Sequence, residues 1–121
     1  MTTVLIVDDE YLVADILSLA LEDEGYLTVK AGNGAKALEI LARERPELII
    51  TDYMMPGMNG IELAEAVRRN PQFGSTPIIL MSGGQPHLGK ERGDLFALVL
   101  SKPFADIETL VAAVKRLVSL D

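Results

Sequence analysis

Five short apolar runs recur along the chain, with amphipathic stretches between them. The runs are Val4-Leu5-Ile6-Val7, Leu27-Thr28-Val29, Leu48-Ile49-Ile50, Ile78-Ile79-Leu80-Met81 and Leu98-Val99-Leu100. As a set they lack the polar–apolar alternation of a half-exposed strand, which suits parallel strands covered on both faces. The intervening stretches carry helical periodicity. Val13, Ile16, Leu17, Ala20 and Leu21 share one expected face, and so do Gly60, Leu63, Ala64 and Val67. Ile107, Leu110, Val111, Val114 and Val118 repeat the pattern near the end. Asn33 and Asn59 stand where N-caps belong, and Glu62 follows Asn59 at capping-box spacing. A strand–helix unit repeated five times, (βα)5, predicts an α/β fold. Its parallel sheet has helices on both faces and binds ligands beyond the carboxyl ends of its strands.

Composition narrows the classes. The 121 residues fit one domain spanning 1–121, and 49% hydrophobic content is too high for a disordered chain. There is no cysteine, which excludes disulfides and thiolate metal sites and suits a reducing cytoplasm. A formal net charge of −7 argues against direct binding to nucleic acid. No apolar run approaches the roughly 20 residues of a membrane span.

The strand ends carry the chemistry. The first run is followed by Asp8-Asp9, the third leads to Asp52, the fourth to Ser82, and the fifth to Lys102-Pro103. If the first, third and fourth strands are neighbours, three carboxylates, a hydroxyl and an ammonium meet at one edge. Two unit charges ~4 Å apart at an effective dielectric near 20 interact by about 4 kcal/mol, so one lysine relieves only part of the repulsion. The donors are hard oxygens, which select Mg²⁺ or a relative over zinc.

Together VDDE at 7–10, DYMMPGMNG at 52–60, MSG at 81–83 and SKPF at 101–104 make the chain resemble a receiver domain of a two-component response regulator of the single-domain, chemotaxis type. The resemblance runs through essentially the whole chain. It implies a flavodoxin-like sheet of order 2-1-3-4-5 and assigns roles. Asp52 is the phosphoacceptor; Asp9 binds Mg²⁺ directly and Asp8 through water; the backbone carbonyl of Met54 is a further ligand. Ser82 and Lys102 hold phosphoryl oxygens, and a cis bond before Pro103 aims Lys102. It implies a sensor histidine kinase or phosphotransfer protein as donor, a protein target as output, no enzymatic turnover beyond self-phosphorylation and slow self-dephosphorylation, and pairing of two copies as an option.

Two departures stand out. Receivers usually carry Tyr or Phe three residues before the lysine, as a switch; here the position is Val99. Four glycines and Pro86 between Gly83 and Gly93 predict a short or irregular helix there, so residues 83–96 are expected to change order or position on activation. A dinucleotide-like Gly32-x-Gly34-x-x-Ala37 reads better as a strand–helix turn capped by Asn33. A haloacid-dehalogenase-like phosphatase needs a second Asp at position 54, where this chain has Met. The remaining alternative is a pseudo-receiver that binds partners without phosphorylation. His87, the single histidine, reads as a surface residue.

Overall fold

The computed structural model describes residues 2–83, 92–101 and 107–118. Its elements are β1 (Thr3–Val7), α1 (Tyr11–Asp23), β2 (Leu27–Ala31), α2 (Gly34–Glu44), β3 (Leu48–Asp52), α3 (Gly60–Arg69), β4 (Ile78–Ser82), β5 (Leu98–Ser101) and α4 (Ile107–Leu117). The strands form one parallel sheet in the order β2-β1-β3-β4-β5, as expected. The helix expected between β4 and β5 falls largely on residues 84–91, outside the described residues.

Side chains alternate across each strand, so the sheet feeds two cores. Leu5, Val7, Ile49, Ile78 and Leu80 pack with Ala37, Ile40 and Leu41 of α2 and Leu63, Ala64 and Val67 of α3. Val4, Ile6, Leu48, Ile50, Ile79 and Met81 pack with Ala14, Leu17 and Leu21 of α1 and Leu110, Ala113 and Val114 of α4. Burying each such Leu or Ile contributes about 1.5–3 kcal/mol relative to leaving it exposed. β1, β3 and β4 are buried throughout apart from Thr3, which is why their runs lack alternation. β2 and β5 are edge strands and only partly covered, so the expectation of two-sided burial fails for them.

The face expected for α1 is also corrected. Its buried residues are Ala14, Leu17, Ser18 and Leu21, while Ile16 is 59% exposed together with Tyr11, Leu12 and Leu19. Apolar residues run almost all round this helix, so periodicity alone does not fix its phase. Ser18 is tolerated inside because its hydroxyl shares a hydrogen bond with Thr28 Oγ1. For α3 the expected face is the observed one.

Both asparagine caps form. Asn33 Oδ1 accepts from the Lys36 amide at 2.8 Å. Asn59 Oδ1 accepts from the Glu62 amide at 2.8 Å, and Glu62 Oε1 accepts from the Asn59 amide at 2.9 Å. Asn59→Ala removes one half of this box and is expected to lower stability by about 1 kcal/mol, read as a shifted midpoint in urea unfolding with an unchanged slope. An unshifted midpoint would show that the cap contributes nothing.

Candidate functional site

The carboxyl ends of β1 and β3 lie side by side, since Val7 is paired with Thr51. Asp8 directly follows β1 and Asp52 ends β3. Both are almost fully buried, at 2% and 5% exposure. A carboxylate so placed needs hydrogen-bond donors, and backbone amides supply them. Asp8 Oδ1 accepts from the Glu10 amide at 2.9 Å, and Asp52 Oδ1 accepts from the Tyr53 amide at 3.0 Å.

Glu10 is the N-cap residue of α1, but its side chain makes no cap hydrogen bond. One carboxylate oxygen each from Asp8, Glu10 and Asp52 lies within 4.8 Å of the others. Asp9 is exposed, and its carboxylate is not part of this trio. Glu10 was given no role from the sequence. The available signal was that VDDE holds three consecutive acids, any of which the turn into α1 could aim inward.

The loop after Asp52 is closed by backbone contacts. The Tyr53 amide donates to the Met81 carbonyl at 2.8 Å, and the Gly60 amide donates to the Tyr53 carbonyl at 2.8 Å. Gly60 packs so closely that an added Cβ would sit 2.5 Å from the Asp52 carbonyl oxygen. Gly57, at φ +82°, supplies the left-handed residue of the turn. Met55 is buried, whereas the Met54 side chain is exposed.

Ser82 ends β4, beside β3. Its hydroxyl is buried and, among the described residues, is the one buried side-chain polar atom without a hydrogen-bond partner. Such a group costs roughly 1–3 kcal/mol unless a ligand or water satisfies it. Lys102 and Pro103 lie outside the described residues, as do Phe104 and His87. Val99 is partly buried against the α2/α3 core, next to the buried Leu95 and Phe96.

The donor set suits a hard divalent cation. It offers several carboxylate oxygens within the span of one coordination sphere, with no nitrogen or sulfur ligand among them. Among the described residues, no helix is long and apolar enough to cross a membrane.

Residues 4–115 match the family described as the response regulator receiver domain. The chain is 37% identical over 118 residues to sporulation initiation phosphotransferase F of Bacillus subtilis, covering 97% of this chain and 94% of that protein. It is 36% identical to the phosphate regulon transcriptional regulatory protein PhoB of Pseudomonas aeruginosa over 93% of this chain, but spans only 50% of PhoB. Among solved structures, the chemotaxis response regulator CheY4 of Vibrio cholerae superposes with a TM-score of 0.88 at 34% identity, covering 98% of this chain and 99% of CheY4. TrrA of Thermotoga maritima, solved in complex with Mg²⁺ and BeF, superposes with a TM-score of 0.85 at 29% identity, covering 98% of this chain and all of TrrA.

Proposed function

The chain belongs to the response regulator receiver domain family of two-component signalling, and from that premise we propose that Asp52 takes a phosphoryl group from a phosphohistidine on a sensor kinase or phosphotransfer protein. The observation that carries this reading is the buried Asp52 carboxylate at the end of β3, clustered with Asp8 and Glu10. Asp8, Glu10 and Asp52 would hold Mg²⁺, with Asp9 and the Met54 carbonyl as further oxygen donors. When bound, the ion offsets the negative charge of the carboxylates and of the incoming phosphoryl group.

The chain's own residues position the reaction. The Tyr53 amide fixes one Asp52 oxygen at 3.0 Å and so orients the carboxylate, one oxygen of which would be the nucleophile. That oxygen attacks phosphorus, the P–N bond of the donor breaks, and its electron pair returns to the imidazole nitrogen. The unpartnered Ser82 hydroxyl gains an acceptor in a phosphoryl oxygen, and Lys102 neutralises another. Little covalent chemistry is asked of the protein, so rate comes from placement and electrostatics. Water attack on phosphorus later releases inorganic phosphate and restores the carboxylate. Chemical activity is limited to this gain and loss, and the output is altered binding to a protein target.

Intact mass tests the reading. After incubation with a small phosphodonor and Mg²⁺, one labile phosphoryl group is expected, absent without Mg²⁺ and absent from Asp52→Asn. No gain, under conditions that label another receiver, would leave a phosphorylation-independent binding module in its place.

A protein donor also needs a surface to dock on. Tyr11, Leu12, Ile16 and Leu19 of α1 are each more than half exposed and lead away from Glu10 at the acid cluster. This apolar stripe fits a helix that presents the donor histidine. Ile16→Glu is expected to slow transfer from a protein donor by roughly tenfold or more, as for a residue central to an interface. Labelling by a small donor should stay unchanged, because Ile16 is exposed and outside the cluster. Equal slowing with both donors would exclude α1 as the docking face.

A further inference from the structure

β5 is a four-residue edge strand whose first three residues, Leu98, Val99 and Leu100, are all apolar and all only partly buried. Strand register is normally specified because a one-residue slip turns apolar side chains out and polar ones in. Here a slip would exchange leucine and valine at two positions and bring Ser101 or Ala97 into the third, a smaller penalty than in a strand that alternates polar and apolar residues. A contact from outside the strand can therefore add decisively to what fixes the register of β5.

Arg68, in the last turn of α3, is placed to do this. Its Nη1 donates to the carbonyls of Gly74 at 2.9 Å and Thr76 at 2.6 Å, and its Nη2 donates to the carbonyl of Leu95 at 2.7 Å. One half-buried guanidinium thus ties the loop entering β4 to the segment entering β5. Burial pulls its pKa below the usual arginine value, yet arginine stays charged in proteins. These are charge-assisted bonds, roughly twice as strong as neutral ones. Two residues after Leu95, the Ala97 amide donates to the Ile78 carbonyl at 2.9 Å and opens the β4–β5 ladder. A second tie from α3, Glu65 to Arg92 at 2.8 Å, is surface-exposed and weaker.

We infer that Arg68 is a positioning residue for phosphoryl transfer: by holding Leu95 it fixes the register of β5, which sets Ser101 opposite Ser82, whose buried hydroxyl the proposed function gives to a phosphoryl oxygen. The link to transfer rests on the function proposed above; the control of register does not.

Three variants of the full chain test it: Arg68→Gln, Arg68→Lys and, as a control, Glu65→Gln. Arg68→Gln is expected to exchange the Ala97 amide and the β5 amides at least tenfold faster than the parent, with β1 and β3 amides unchanged. Its labelling rate by a small phosphodonor should fall at least tenfold, while its dissociation constant for Mg²⁺ stays within twofold, because Asp8 and Glu10 lie between β1 and α1 and Asp52 ends β3, away from β5. Arg68→Lys should recover part of both losses, and Glu65→Gln should stay within twofold of the parent throughout. Unchanged Ala97 exchange in Arg68→Gln would overturn the inference. So would a parallel loss of Mg²⁺ affinity, which would mark Arg68 as a general contributor to the fold. If even the parent takes no phosphoryl group, the proposed function fails, and the exchange data alone decide whether Arg68 sets the register.

Discussion

Asp52→Asn is expected to melt at a higher temperature than the parent when no divalent cation is present, and to take up no phosphoryl group. Asp8, Glu10 and Asp52 have carboxylate oxygens within 4.8 Å of one another. At an effective dielectric near 20, each such pair repels by about 3–4 kcal/mol. Removing the charge at Asp52 would relieve two of these pairs. Asparagine removes the charge and keeps an oxygen to accept from the Tyr53 amide. A net gain of about 1–3 kcal/mol raises Tm by roughly 5–10 °C in a domain of this size. Mg²⁺ is expected to reverse the order. A ligand at a hundred times its dissociation constant stabilises the native state by about 2.7 kcal/mol, and the variant has lost one of the carboxylates that would hold it. Differential scanning calorimetry with EDTA and with Mg²⁺ should show the two proteins exchanging rank. A lower Tm for the variant in EDTA would mean that the acids do not strain the fold.

Gly60→Ala is expected to damage both stability and the site. A Cβ there would meet the Asp52 carbonyl oxygen at 2.5 Å, Leu80 Cδ1 at 2.8 Å and Tyr53 Cα at 3.1 Å. Two of the three neighbours are backbone, so relief requires moving the strand end that carries Asp52 or the start of α3. Overpacking of this kind destabilises by about 1–3 kcal/mol. Alanine's helix propensity, worth up to about 1 kcal/mol over glycine, offsets only part of it. A shift of the Asp52 backbone also separates the acids, so Mg²⁺ affinity should fall by roughly tenfold, a 1.4 kcal/mol loss. Urea unfolding and a calorimetric Mg²⁺ titration read the two effects. Parent-like values in both would show that the loop yields without disturbing Asp52.

Much of this architecture could be read from the chain because strand burial and helix caps are local signals. Uninterrupted runs gave β1, β3 and β4, and Asn59 with Glu62 marked the start of α3. The placement of Asp8, Asp52 and Ser82 at strand ends followed from the order of elements. What could not be read depends on neighbours. The phase of α1 is set by what its helix meets, Thr28 included, so Ile16 turned outward although its spacing fits a core face. The edge positions of β2 and β5 are properties of strand order, to which their composition is blind. Glu10 joins the acids through the turn geometry at the start of α1, and no spacing rule separates it from Asp9.

Among the described residues, the sheet divides the interior into two compartments with no buried side chain in common. Substitutions in residues that share no partner tend to add without coupling. The α1/α4 layer, which carries the exposed stripe of Leu12, Ile16 and Leu19, can therefore drift in sequence while the α2/α3 layer, which seats the Asp52 loop through Gly60, stays as it is. In such a molecule the face that the proposed function gives to a partner could change beyond the first turn of α1 with little effect at Asp52, because a wall of backbone lies between the two layers.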